Sequence, residues 1–298
     1  MDGNIFNTPA KAYVNTVNTK GVMGKGIAKV FKEMYPKMFK DYQNKCESGE
    51  LDIGKLGSYR AKDKIIINFP TKKHWRYPSK VEYIEEGLID FSKKYAIWGI
   101  ESVAFPPLGC GNGGLDFESQ VKPLMEQYLQ PLPIDVLVYP HKGSNEDPEH
   151  LDIKKMKDWL RSEPASMPFN EVWEDMVLKV KKTPTILINN NKSFLSIVES
   201  EEDNNNYIQI RNGKINQIYY EDLRIIWNAM RDNGFLFSYD LPSSLLELKS
   251  EIIKIFALLD YIILFEGSIM IKGRLELKTG IRIKSEIIIP QMKLSVFV

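Results

Sequence analysis

VNTVNTKGVMGKGIAK, residues 14–29, is the stretch on which the fold turns. It continues a short apolar strand (Ala12, Val14, Val17) that carries two asparagines, Asn15 and Asn18. Gly21, Gly24 and Gly26 come next, and Ile27, Val30, Phe31 and Met34 then share one face of a helix that Pro36 closes. A strand running through glycines into a helix N-terminus is a physical device for holding an anion. Glycine lets backbone N–H groups approach closely, and the helix end adds partial positive charge. The stretch therefore predicts a phosphate site.

Outward from that site, the first half alternates strand and helix. Residues 64–69, 102–108 and 135–139 are apolar without alternation, as strands covered on both faces should be. Ile84, Leu88, Phe91 and Tyr95 share one helical face; Val121, Leu124, Met125 and Tyr128 share another, which Pro123 makes start late or kink. The prediction is an α/β domain with a mainly parallel sheet sandwiched by helices, its ligand site off the strand ends.

Residues 140–169 change character: a polar, turn-rich run, a short basic helical piece, then SEPASMP. The expected boundaries are a first domain over 1–150, a linker over 151–169 and a smaller α+β domain over 170–298. In the latter, 185–188 and 194–198 read as strands and 199–206 as an acidic loop. YIQIRNGKINQIYY reads as a hairpin, whose Asn212-Gly213 turn with both φ positive sets Ile210 opposite Ile215. A helical stripe from Leu223 to Met230 stops near Gly234. Ser244 with Glu247 reads as a capping box opening a long buried helix to Phe265, and strands at 269–271, 275–277, 281–283, 286–289 and 294–298 finish the chain.

Composition narrows the function classes. The 298 residues suit two domains, and 40 Lys+Arg against 39 Asp+Glu leave no global basic field, so any nucleic-acid contact is a local patch. Two cysteines, Cys46 and Cys110, fit a reducing cytosol. No basic segment precedes an apolar run at the N-terminus, and residues 252–265 are too short to span a bilayer, so neither a signal peptide nor a membrane is expected. Three histidines without Cys/His clustering make a metal site unexpected.

Two further loops carry chemistry. PPLGCGNGGL, residues 106–115, formally fits G-x-G-x-x-G, but the acidic residue wanted after the next strand is missing, which disfavours a nicotinamide dehydrogenase. Lys25 is followed by glycine, so there is no Walker A sequence either. Two glycine loops at two strand ends suggest a pyrophosphate gripped from both sides. NFPTKKHWRYPSK, residues 68–80, interleaves Lys72, Lys73, Arg76 and Lys80 with His74, Trp75 and Tyr77. That pattern suits a nucleic-acid strand; it equally suits a solvated basic loop with Trp75 tucked into the core.

Together, VNTVNTKGVMGKGIAKVFKEMYP, INFPTKKHWR and PPLGCGNGGLDF resemble a macrodomain, the ADP-ribose-binding fold, and within it the DarG-type branch. That branch reverses ADP-ribosylation of DNA by DarT-type toxins. The resemblance implies hydrolysis of the bond between ADP-ribose and thymidine in single-stranded DNA, no cofactor, and toxin binding through the C-terminal domain. A non-catalytic ADP-ribose reader is the rival. The resemblance further implies that Gly21, Val22, Met23, Gly24, Lys25, Gly26 and Ile27 bind the diphosphate side. Pro107, Leu108, Gly109, Cys110, Gly111, Asn112, Gly113 and Gly114 would close over it. Asn18 would face the distal ribose, Asn15 would brace the loop, and Lys72 is the catalytic candidate. Lys73, His74, Trp75, Arg76 and Lys80 would meet DNA.

Two positions depart from the family pattern. Gly113 stands where a relative has an aspartate, so non-covalent catalysis is preferred and Asp116 is expected to cap the next helix. Asn4, beside Ile5 at the adenine end, replaces an expected aspartate. Cys110 is expected in its loop for its small size.

Overall fold

A computed structural model of the chain describes residues 4–139, 151–188, 190–199, 205–271 and 274–284. It divides into two compact units, Met1–Leu160 and Arg161–Val298.

The first unit runs β1 (Ala12–Asn18), α1 (Gly26–Met34), α2 (Pro36–Ser48), β2 (Gly57–Arg60), β3 (Ile65–Lys72), α3 (Val81–Lys94), β4 (Ser102–Phe105), α4 (Lys122–Leu129), β5 (Asp135–Val138) and all but the last two residues of α5 (Ile153–Ser162). Its five-stranded sheet has the order β2-β3-β1-β4-β5. The β3-β1-β4-β5 pairs are parallel, and β2 closes one edge antiparallel. Alternate side chains of each strand enter opposite cores, as pleating requires. Ala12, Val14, Ile67, Phe69, Val103 and Phe105 pack with Ile84, Leu88, Phe91 and Met125 from α3 and α4. Tyr13, Val17, Ile66 and Ala104 pack with Phe31, Met38, Phe39 and Tyr42 from α1 and α2. With both faces covered, the central strands have no polar face to show, which is why they read as continuous apolar runs.

Pro36 ends the first helix and also begins the second. It stands at the first position of α2, where a missing N–H costs nothing and its fixed φ favours the helix. Pro123 likewise sits at the start of α4, after a π-helical turn over Phe117–Val121.

The second unit contains α6 (Phe169–Lys182), β6 (Thr185–Ile188), β7 (Asn191–Val198), β8 (Tyr207–Arg211), β9 (Ile215–Tyr219), α7 (Tyr220–Asn233), β10 (Phe235–Phe237), α8 (Lys249–Phe256), β11 (Ile262–Ile271) and β12 (Arg274–Ile283). Two antiparallel sheets, β6-β7-β8-β9 and β10-β12-β11, make it the expected smaller α+β unit.

Three expectations for this unit are corrected. The β8–β9 loop has three residues, with Asn212 N donating to Lys214 O at 3.1 Å and only Gly213 at positive φ. Ile210 therefore faces Asn216 rather than Ile215, and Ile215 is left exposed. The apolar run 252–265 is not one helix. It breaks after α8, and Ile262–Phe265 open β11, where their β-branched and aromatic side chains suit pairing with β12. No capping box forms, for Ser243–Leu248 is a 3-10 segment whose N-cap is Pro242. The strands expected at 286–289 and 294–298, and most of the acidic loop, lie outside the described residues. Within residues 151–169, expected as a linker, α5 forms and Met156 and Leu160 are buried.

Candidate active site

Three loops leave the carboxyl ends of β1, β3 and β4. The parallel register puts Asn18 opposite Lys72, with an irregularity at Val17/Asn18. Thr19 stitches the two strand ends together: its N–H donates to Lys72 O at 3.0 Å and its hydroxyl to Lys73 O at 2.7 Å. The Lys72 side chain is buried, at 5% exposure. Lys72 is thus shielded from water at the strand end next to Asn18, where the first glycine loop begins.

Asn18 shapes that loop. Its Oδ1 accepts from Lys20 N at 3.0 Å and Val22 N at 3.4 Å, and its Nδ2 donates to Val22 O at 2.7 Å. Tyr42 Oη donates to Asn18 O at 2.6 Å, and Gln43 Nε2 donates to Gly21 O at 3.2 Å. Asn18 thus makes most of the bracing hydrogen bonds; Asn15, expected to brace the loop, donates to Asn68 Oδ1 at 3.0 Å in the sheet interior and to Met23 Sδ of the loop at 3.9 Å. Gly21 (φ +79°) and Gly26 (φ +57°) take the left-handed backbone that makes the turn into α1, whose N-terminus has no side-chain cap.

The second glycine loop turns through Gly109, Gly111 and Gly114, all at positive φ. It adjoins the first, since a Cβ on Gly26 would lie 2.9 Å from Asn112 Nδ2. The tertiary structure therefore brings Gly21–Ile27, Leu108–Gly114 and Lys72 to one end of the sheet, with Val22, Met23 and Leu108 buried beneath.

Two residues reach this place that sequence reasoning left out. A Cβ on Gly24 would meet Met156 Cε at 2.3 Å and the Trp159 ring at 2.7 Å, so α5 lies directly against the first loop. Lys32 Nζ sits 5.1 Å from the centroid of Trp159. The spacing of Met156, Trp159 and Leu160 announces an amphipathic helix; nothing in it says which surface the helix covers.

Of the two patterns the basic loop suits, the one with Trp75 in the core is found, against its expected place among the DNA-contacting residues. Trp75 is fully buried, with the Arg76 guanidinium 4.8 Å from its ring, so the indole is not presented to a base. A large flat ring gains more from the core than from water. Exposed Tyr77 takes the outer position, 5.7 Å from the His74 ring, while Lys73 and Lys80 are exposed beside Tyr83.

Residues 14–123 match the Macro domain family. That segment is a macro domain. The chain is 42% identical over 188 residues to the DNA ADP-ribosyl glycohydrolase of Mycobacterium tuberculosis, covering 58% of this chain and 52% of that protein. The solved macrodomain of Mycobacterium tuberculosis DarG is 49% identical, over 48% of this chain and 96% of that one, with a TM-score of 0.46. A DNA ADP-ribosyl transferase–DNA ADP-ribosyl glycohydrolase fusion protein of Thermosipho africanus is 35% identical over 158 residues, 47% of this chain and 40% of that protein. The chain thus spans about half the length of the curated relatives it matches.

The edges of the macro domain site are occupied as follows. Asp116 Oδ1 accepts from Ser119 N at 2.8 Å and from the Ser119 hydroxyl, which holds its carboxyl below the usual range and makes it a cap. Asn4 accepts from Phe6 N at 3.0 Å, capping a short turn that begins at buried Ile5. Burial pushes the Cys110 thiol up to about 11 and Cys46 up to about 12, so both stay protonated at neutral pH and are poor nucleophiles. Pro107 leads into the loop half-buried, and Lys25 stands at the N-cap of α1. Among the described residues no group of three or more His, Cys, Asp or Glu side chains could hold a metal, and no helix is long and apolar enough to cross a membrane.

Proposed function

We propose that this chain removes ADP-ribose from thymidine in single-stranded DNA, as a DNA ADP-ribosyl glycohydrolase. The observation that carries the reading is the buried Lys72, in register with Asn18 at the start of the first glycine loop, which itself adjoins the second. Backbone N–H groups of the two loops and the open N-terminus of α1 take the diphosphate, and the ribose is then led toward the strand ends. Lys72 acts at the anomeric carbon as an acid and electrostatic group. The glycosidic C–N bond breaks with its electron pair going to the base nitrogen, which takes a proton from the ammonium. Water forms the new C–O bond at the anomeric carbon and loses a proton. Asn18 positions the loop that holds the sugar. A lysine-linked intermediate has less support, because position 113 lacks a carboxylate and Asp116 is committed to Ser119.

Lys72→Ala tests this directly. Release of ADP-ribose from modified single-stranded DNA should fall by about 100-fold or more, with ADP-ribose binding still measurable by calorimetry. Undiminished turnover in that variant would remove Lys72 from the mechanism. A non-catalytic ADP-ribose reader is the second reading, favoured by Gly113 and by the cap that occupies Asn4. If the wild-type chain returns no unmodified DNA, that reading prevails.

The second unit we assign to binding a DarT-type toxin, so that the chain acts as an antitoxin in two ways. The fused transferase–glycohydrolase of Thermosipho africanus supports the pairing of the two activities. A protein-binding role also agrees with Leu264, Leu275 and Leu277, which are exposed on the β11–β12 hairpin. The full chain should retain such a toxin in a pull-down, and Leu275→Asp/Leu277→Asp should release it; equal retention would turn attention from the hairpin.

A further inference from the structure

Ser79, at the end of the basic loop, takes no part in the roles assigned above. Its backbone N donates to Gly113 O at 2.9 Å. A Cβ on Gly113 would lie 2.3 Å from Ser79 Oγ and 2.9 Å from its Cβ, and a Cβ on Gly109 would lie 3.2 Å from the same Ser79 Cβ. The serine side chain therefore fills the volume that a side chain at position 113 would claim. It ties the loop that follows Lys72 to the second glycine loop. Yet Ser79 is 6% exposed, and its Oγ has no hydrogen-bond partner among the described residues. A buried hydroxyl left unpaired costs free energy, and packing alone would be served by alanine.

We propose that Ser79 is a positioning residue for the ligand of the second glycine loop. Its side chain sets the spacing between that loop and the basic loop, and a phosphate or ribose oxygen of the ligand supplies the missing partner of its hydroxyl. The three positive-φ glycines of the loop allow the small backbone shift that opens Oγ to the ligand. A serine hydroxyl suits both kinds of oxygen, donating to a phosphate and either donating to or accepting from a sugar hydroxyl. The inference rests on the reading that this loop holds ADP-ribose.

The experiment titrates ADP-ribose by calorimetry into the full chain and its variants, with thermal melting of each. Ser79→Ala should melt at the wild-type temperature or slightly above, since no partner is lost, while binding ADP-ribose about five- to tenfold more weakly. Gly113→Ala alone should bind more weakly than the Ser79→Gly/Gly113→Ala pair, in which the space is restored. Wild-type affinity in Ser79→Ala overturns the proposal. So does a weakened affinity accompanied by a lower melting temperature, which would give the hydroxyl a structural partner instead. A pair that binds no better than Gly113→Ala removes the spacing role. A wild-type chain that fails to bind ADP-ribose sinks the reading beneath; binding intact with Ser79→Ala unaffected sinks this inference alone.

Discussion

Trp75 and Tyr77 stand two residues apart in one loop and face opposite fates. Trp75 is sealed in the first unit, and Tyr77 is largely exposed. Trp75→Ala should therefore act on folding, costing about 3–5 kcal/mol and lowering the urea midpoint. Tyr77→Ala should leave that midpoint in place and weaken binding of modified single-stranded DNA about fivefold or more, the low end of base–aromatic stacking. The opposite pattern, a stable Trp75→Ala that fails to hold DNA, would restore Trp75 to the interface. The interleaving of cations and rings is legible in the sequence. Which ring points inward is not, because that depends on the hollow left by neighbouring elements. The same limit applies to Asn15 and Asn18. Both are legible as strand-end asparagines, but only the tertiary contacts decide that Asn18 makes most of the loop's bonds while Asn15 reaches Asn68 and Met23.

At the scale of elements, α5 supports the glycine loop. Gly24 does not have a left-handed backbone, so its lack of a side chain answers to the close approach of Met156 and Trp159. Gly24→Ala should destabilise the first unit by about 1–3 kcal/mol, read as a lower melting temperature. Adding Trp159→Ala should recover part of that loss, since the two positions share one volume. Independent, additive losses would mean that the helix does not press on the loop. Elements with strong periodicity, such as α1, α3 and α7, stand near where their patterns put them. The run 252–265 does not, because an unbroken apolar segment suits a buried helix and a buried strand alike. Only the partner strand β12 settles that choice. The β8–β9 hairpin slips by one residue for a comparable reason: the turn adds Lys214, and a period of two turns one extra residue into a change of face.

For the molecule as a whole, each unit has its own core, and the second keeps its own polar anchor, where Asp175 accepts from Arg161 and from Tyr261 Oη. Two units predict two calorimetric transitions, of which ADP-ribose should raise one. At about 100 times Kd the gain is about 2.7 kcal/mol. A single transition, or two that move together, would contradict ligand binding confined to the macro domain. The sequence by itself determined the strand–glycine–helix core, the parallel order of chemistry-bearing loops and the change of architecture in the second half. Those features are written in local periodicity and backbone permissiveness, which short-range sterics enforce. Only the tertiary structure decided that Asn18 lies beside Lys72, that the two glycine loops meet at Gly26 and Asn112, and that Ser79 and Trp159 press on those loops. Each of these contacts joins residues far apart in the chain, and their distance is set by how whole layers pack.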